Sequence, residues 1–302
     1  MYDLVIIGAG FAGLTSAIYA SRAGLDFTVL EQDGFGGGQI TSAFEIENYP
    51  GLPGVSGADL AENVRKQAVE LGAKIELSIA ISIEKCDNEF IIHTHSGDEI
   101  KSRCVIVSTG AVPRKLNIPG EKELVGRGVS YCALCDGAFF TDKDVIVAGG
   151  GDTAVEDALY LASICKNVTL MLRGTAFRAA KSGVDKLLTL RNVSVLYGTN
   201  IIKIAGDKTV SSVCIRDKNG ERSFNTSAVF IAVGTAPATD CLLNLPLESE
   251  NGYAVANEDC KTNIDGLFVA GDVRKKPLRQ VVTAAADGAN ALYSAIEYLK
   301  DI

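Results

Sequence analysis

The chain opens on an apolar run, Tyr2 to Ile7, of the length expected for a buried strand, and breaks at once into Gly8-Ala9-Gly10-Phe11-Ala12-Gly13. Apolar residues then recur at helical spacing through LTSAIYASRAG, where Gly24 supplies a stop signal. The run FTVLE follows and ends at Glu31, so strand, glycine turn, helix and strand make one βαβ unit. Farther on, FIIHTHSGDEIKSRCVIVSTGA alternates apolar and polar residues on both sides of Ser96-Gly97. That alternation predicts an antiparallel pair closing with Val105 to Val107.

Beyond Pro113 and Pro119 the same order restarts, as strand DVIVAG, loop GGGDTA, helix VEDALYLASIC and strand VTLML. A second nucleotide-type fold therefore begins near residue 115, and the strands SSVCIRD and AVFIAVG complete it before Pro237. The last stretch, GLFVAGD and the helix TAAADGANALYSAIEYLK, has no partner fold of its own and is expected to return to the first domain. The predicted class is α/β, with residues 1–114 and 242–302 forming a discontinuous first domain and residues 115–241 inserted as the second.

Composition narrows the function. With 302 residues, 47% hydrophobic and 22% charged, the chain has ordinary globular usage and room for two cores. A net charge of -8 argues against nucleic acid, whose binding needs a basic surface. No apolar run approaches the roughly 18 residues of a membrane helix, and the first residues read as a strand, without the charged leader of a signal peptide. A cytoplasmic protein with no membrane or nucleic-acid partner is expected. Of the 8 cysteines only Cys132 and Cys135 are close in sequence; Cys86, Cys104, Cys165, Cys214, Cys241 and Cys260 stand alone and are expected to pack as small hydrophobes.

Gly8, Gly10 and Gly13 form a G-x-G-x-x-G, in which glycine permits the tight turn, the approach of backbone to a pyrophosphate, and close strand-to-helix packing. A plain glycine turn is the bland alternative. The strand before, the helix after, and Glu31 at the end of the next strand favour a dinucleotide, with the phosphates on the helix N-terminus and the carboxylate on the ribose. Gly149, Gly151, Asp152, Thr153 and Ala154 repeat the pattern as G-x-G-x-x-A and point to a second nucleotide.

Cys132-Ala133-Leu134-Cys135 suits a reversible dithiol, because two intervening residues let the sulfurs meet in a small ring. Structural zinc wants four ligands, and the only histidines, His93 and His95, alternate on a strand far upstream, so no metal is expected. Asp136 reads equally well as a proton carrier for those sulfurs or as a cap of a helix starting near Gly137.

Taken together, GAGFAGLTSAIYASRAG, GGGQI at Gly36 to Ile40, ENYPG at Glu47 to Gly51, STGA at Ser108 to Ala111, CALCDGAFF at Cys132 to Phe140, and GLFVAGDV at Gly266 to Val273 resemble the FAD-dependent pyridine-nucleotide disulfide oxidoreductases, and within them the low-molecular-weight thioredoxin reductases. The resemblance implies two Rossmann-like (three-layer ββα) domains, a homodimer, and FAD held by Gly8, Gly10, Ala12, Gly13, Glu31, Gly38, Gln39, Asn48, Thr109, Gly110, Gly271, Asp272, Arg279 and Gln280. It also implies that Cys135 takes electrons from the flavin, that Cys132 attacks the thioredoxin disulfide, and that Asp136 is the acid-base residue. One dithiol must then serve both a buried flavin and a protein, which calls for domain movement about residues 112–118 and 236–243. A flavoprotein oxidase, or a flavin disulfide oxidoreductase with another acceptor, is the alternative function.

The electron donor is the open point. NADPH-dependent relatives carry H-R-R-x-x-x-R after the second nucleotide strand, whereas this chain has Leu172, Arg173, Gly174 and Arg178. The missing cations weaken the case for NADPH, since each charge-assisted phosphate contact contributes about 1.5–3 kcal/mol. Reduced ferredoxin, the donor of the ferredoxin-dependent flavin branch that such chains resemble, is therefore favoured, and Arg274, Lys275, Lys276 and Arg279 offer a cationic cluster to attract it.

Overall fold

A computed structural model describes residues 1–43, 46 and 48–301, so Glu47 of the ENYPG motif lies outside the described residues. The chain forms two compact units, Met1–Val112 with Ala236–Ile302, and Pro113–Thr235.

The first unit is built on a seven-stranded sheet in which Ile75–Leu77, Phe27–Glu31, Tyr2–Ile7, Glu99–Val107, Glu89–Thr94 and Ala80–Cys86 lie side by side. Leu267–Val269 adds to Glu99–Val107 in parallel, which is how the C-terminal stretch joins this sheet. Strand alternation assigns the two faces. Leu4 and Ile6 pack with Leu14, Ala17, Ala291 and Leu292 of two helices, while Val5 and Ile7 pack with Ile83, Phe90 and Ile92. Burial on both faces explains why residues 4–7 read as a continuous apolar run.

The helix Phe11–Ala23 starts at Phe11, ahead of the Leu14 start suggested by its apolar pattern, and Gly24 closes it in the left-handed conformation at φ 71° with its amide on Ala20 and Ser21 carbonyls. The helix Gly57–Glu70 escaped the periodicity reading because its apolar stripe is sparse. It begins on Ser56, whose hydroxyl accepts the Asp59 amide. The C-terminal helix runs Val281–Asp301, and Gly288 lets it close on the first helix, since a Cβ there would sit 2.2 Å from the Ala12 carbonyl oxygen.

The second unit holds a five-stranded parallel sheet in the order Val193–Tyr197, Asn167–Leu172, Asp144–Ala148, Ala228–Ile231 and Val129–Ser130. Val145 and Val147 point to the helix Asp152–Ile164 through Ala154, Ala158 and Leu161. Ile146, Met171 and Val229 pack instead on Ile204, Val213 and Ile215 of the antiparallel strands Asn200–Gly206 and Val210–Asp217. Sheet, sheet and helix thus make three layers around two cores.

The helix Asp152–Ile164 carries a half-buried acid on its flank. Burial first, and the charge of Glu156 second, push the Asp157 carboxyl up to about 7 from 3.8. The folded state therefore holds this proton more tightly than the unfolded chain, and stability falls as pH rises from about 4 to about 7. Replacing Asp157 with Asn is expected to raise the unfolding temperature at pH 8 by about 2–4 °C and to leave it unchanged at pH 4. Thermal unfolding followed by circular dichroism at the two pH values checks this.

Candidate functional site

In the first unit the predicted FAD residues gather at the carboxyl ends of parallel strands, the ordinary ligand edge of such sheets. Gly8 follows Ile7, Glu31 ends its strand, Thr109 and Gly110 follow Val107, and Gly271 follows Val269. Gly8 takes φ 99°, and a Cβ there would sit 2.6 Å from the Ser108 carbonyl oxygen. At Gly13 the clash is internal, with a Cβ 1.9 Å from the Gly8 carbonyl oxygen. Gly10 differs: it caps the helix at φ -73°, and a Cβ there would meet nothing within 4 Å. Its missing side chain leaves space above the helix amides, where a pyrophosphate would lie.

Neighbouring groups complete the cradle. The Gly37 amide donates to the Ala9 carbonyl at 2.7 Å, and Gly38, at φ 66°, faces Gly10. Gln39 follows in the short turn Gly38–Ser42. Glu31 is buried, its Oε2 accepting the Ala9 amide at 2.5 Å and its Oε1 the Gln32 and Asp33 amides. A Cβ on Gly271 would sit 3.0 Å from the Ala12 Cβ. The Asn48 amide donates to Gln280 Oε1 at 2.9 Å. Thr109 donates to the Ala238 carbonyl, which ties the strand-end loop to the returning segment.

Asp272 supplies the sharpest test of whether FAD fits. Its Oδ1 is shut away from solvent and has no hydrogen-bond partner among the described residues, with Lys276 Nζ 3.9 Å away. Burial raises its pKa against the opposing pull of Lys276 and Arg279. An orphaned carboxylate oxygen costs about 1–3 kcal/mol, and a ribityl or ribose hydroxyl would satisfy it. Arg279 lies beside it, with Nε 3.4 Å from the Asp272 carbonyl oxygen and its guanidinium 3.9 Å from the Tyr253 ring centre. Donor, acceptor and open glycine turn all suit the cofactor.

The expected cationic patch is corrected here. Asp287, itself buried, accepts from Arg274 Nη2 at 2.9 Å, Lys276 Nζ at 2.9 Å and the Gly271 amide at 2.9 Å, and Arg274 also donates to the Asn257 carbonyl. Lys275 pairs with Glu250. With Arg279 on the Asp272 carbonyl and the Tyr253 ring, all four cations are thus engaged, and two of them are buried beneath the Gly271 turn. The sequence reading missed Asp287 because nothing in a helical AAADGAN marks its aspartate as a hub.

In the second unit the same geometry recurs. Gly149 cannot carry a Cβ, which would sit 2.1 Å from the Ala232 carbonyl oxygen, whereas Gly151 caps its helix with nothing within 4 Å. Ala154 is fully buried where Gly13 stands in the first loop. Thr153 is exposed beside it, and Asp152 spends one carboxylate oxygen on the Ala180 amide at 2.7 Å. Arg173 and Arg178 are exposed on the loop after Leu172, and the Arg178 amide donates to the Gly150 carbonyl at 2.8 Å, which fastens that loop to the glycine turn.

Cys132 and Cys135 form a disulfide with Cα atoms 5.4 Å apart, at the carboxyl end of the strand Val129–Ser130. Cys135 is exposed and Cys132 half-buried. The Cys135 amide donates to Cys132 Sγ at 3.1 Å, the contact that would favour a thiolate there. Gly137 lets the turn settle on the next helix, because a Cβ there would lie 2.9 Å from Leu161 and Tyr160 side chains. Asp136 makes no capping hydrogen bond to the turn Gly137–Phe140, against the capping reading. Phe139 is 80% exposed next to the pair.

Of the lone cysteines, Cys104, Cys165, Cys241 and Cys260 are buried as expected, and burial pushes their thiols up to about 12, 11, 11 and 12. Cys86 is exposed and Cys214 half-buried, against that expectation.

Comparison with known proteins bears on both sites. A family model described as pyridine nucleotide-disulphide oxidoreductase matches residues 2–288. The chain is 43% identical over 301 residues to the thioredoxin reductase of Treponema pallidum (strain Nichols), covering 99% of this chain and 97% of that protein. Its structure is similar to that of Lactococcus lactis thioredoxin reductase, with a TM-score of 0.95, 37% identity and 100% of each chain covered. A ferredoxin-flavin thioredoxin reductase from Clostridium acetobutylicum is also similar, with a TM-score of 0.55 and 30% identity over 100% of this chain and 99% of that one.

Proposed function

The chain belongs to the pyridine nucleotide-disulphide oxidoreductase family, and on that premise we propose that it is an FAD-dependent thioredoxin-disulfide reductase. The observation that carries this reading is the Cys132–Cys135 disulfide, set at a strand end with the exposed Phe139 beside it. Gly8 to Gly13, Glu31 and Asp272 would hold FAD, which would supply two-electron chemistry when bound. Two electrons and two protons convert the disulfide to two thiols. Deprotonated Cys132 then attacks one sulfur of the thioredoxin disulfide, forming a mixed disulfide and releasing a thiolate that takes up a proton. Cys135, deprotonated in turn, displaces the second thioredoxin sulfur and restores the Cys132–Cys135 bond. Asp136 is the proposed carrier of these protons.

Both donors have support. The intact turn at Gly149, Gly151 and Ala154, with Arg173 and Arg178 exposed on the attached loop, favours a nicotinamide nucleotide, NADPH in particular. Ferredoxin keeps the argument from Leu172 and Gly174 but loses its cationic patch, since Arg274 and Lys276 are committed to Asp287. The nucleotide is therefore the preferred donor. Anaerobic stopped-flow bleaching of the bound flavin by NADPH, NADH and reduced ferredoxin is the test. Rapid bleaching by NADPH is expected, and bleaching by ferredoxin alone would reverse the preference.

A cytoplasmic homodimer completes the proposal. No helix among the described residues is long and apolar enough to cross a membrane. Leu77, Ile79 and Ile81 of the first unit are exposed apolar residues of the kind a second copy would cover.

A further inference from the structure

Tyr131, the residue before Cys132, is tied to a turn that the disulfide chemistry does not otherwise use. Its hydroxyl donates to Glu121 Oε1 at 2.7 Å. Glu121 is only 3% exposed. Its Oε1 also accepts the Leu116 amide at 2.9 Å, and its Oε2 accepts the Asn117 amide at 2.6 Å and the Ile118 amide at 3.4 Å. Asn117 adopts φ 56°, the left-handed conformation that turns successive amides onto one anion. On the other flank, Ser130 Oγ accepts the Cys132 amide at 3.0 Å and donates to the Cys132 carbonyl at 3.1 Å.

We propose that Glu121 and Tyr131 are a positioning pair that holds the backbone of Cys132 in the orientation needed for disulfide interchange. Three amides already satisfy the carboxylate, so the phenol is the member that connects this closed turn to the sulfur-bearing residue. Burial, and then the bond to Glu121, raise the phenol's pKa and keep it a donor. Interchange needs three sulfurs in line, and a displacement of about 1 Å is enough to slow a reaction of that kind severely. Ser130 thus holds the amide and carbonyl of Cys132, and the bond to Glu121 holds the residue before it.

The inference rests on Cys132 being the attacking thiol, and Tyr131→Phe in the flavin-loaded enzyme tests it. Thioredoxin kcat is expected to fall about three- to tenfold, the worth of one hydrogen bond, with KM and the rate of flavin reduction within about twofold of wild type. In the reduced enzyme, alkylation of Cys132 by iodoacetamide, located by peptide mass, is expected to rise about threefold at pH 7 as the flank loosens. Glu121→Gln, which offers one acceptor oxygen, is expected to move both readouts further. Unchanged kcat and alkylation in Tyr131→Phe, even with a lowered unfolding temperature, would overturn the pair's role and leave it a fold-stabilising contact. Failure of the wild-type enzyme to reduce thioredoxin would instead strike the proposed function, while the alkylation comparison would still judge the pair.

Discussion

Cys132→Ser is expected to abolish thioredoxin turnover, on the order of a thousandfold or more, while the protein stays folded, yellow and reducible by its donor. A hydroxyl at 132 cannot be half of a disulfide, so electrons would reach the flavin and stop there. Because the two sulfurs act as one unit, losing either should cost nearly as much as losing both. The position is half-buried in a short turn, and serine is a slightly smaller isostere of cysteine, so the fold is expected to tolerate the change. Cys135→Ser is expected to be as inactive but to accumulate a covalent adduct, since the mixed disulfide between Cys132 and thioredoxin would lack its resolving thiol. Non-reducing electrophoresis distinguishes the variants. An adduct with Cys132→Ser, and none with Cys135→Ser, would exchange the two roles, and intact turnover of the natural acceptor in Cys132→Ser would overturn the dithiol relay.

Gly10→Ala and Gly13→Ala are expected to fail in different ways. A Cβ at Gly10 meets nothing within 4 Å and its φ of -73° suits alanine, so the apoprotein should keep its unfolding temperature. The methyl group occupies the space proposed for the pyrophosphate, and FAD affinity is expected to fall about tenfold to a hundredfold as helix-amide contacts lengthen. A Cβ at Gly13 would lie 1.9 Å from the Gly8 carbonyl oxygen, backbone against helix, and neither can yield. That variant is expected to lose several kcal/mol of stability and to purify poorly or colourless. Flavin titration followed by fluorescence quenching, together with apoprotein melting, separates the two effects. Unaltered FAD affinity in Gly10→Ala would remove the phosphates from this turn.

Much of the architecture was legible because glycine punctuation and apolar runs act locally. Tyr2–Ile7 and Phe27–Glu31 appear as predicted, and the antiparallel pair Glu89–Thr94 with Glu99–Val107 forms around Ser96-Gly97. Amphipathicity failed for Gly57–Glu70, where burial of Leu60, Ala61 and Ala68 is too sparse to stand out against exposed polar neighbours. The cationic cluster misled for a related reason. Lysine and arginine in sequence read as solvated, yet Arg274 and Lys276 turn inward because a single buried aspartate from the last helix meets them.

The sequence alone determined the chemistry of the parts: two glycine turns between strand and helix, a C-x-x-C with an acid after it, and the repeated βαβ order that requires two sheets. These follow from local sterics, the freedom of glycine, and the spacing at which two sulfurs can bond. Tertiary structure alone decided which charges are spent and which remain. Asp287 gathers Arg274, Lys276 and the Gly271 amide, Asp272 is left with an oxygen that has no hydrogen-bond partner among the described residues, and Glu121 joins a turn to Tyr131. Each partnership links residues that are distant in sequence or unremarkable in type, and the cost of burying a lone charge acts only once the chain has closed around it.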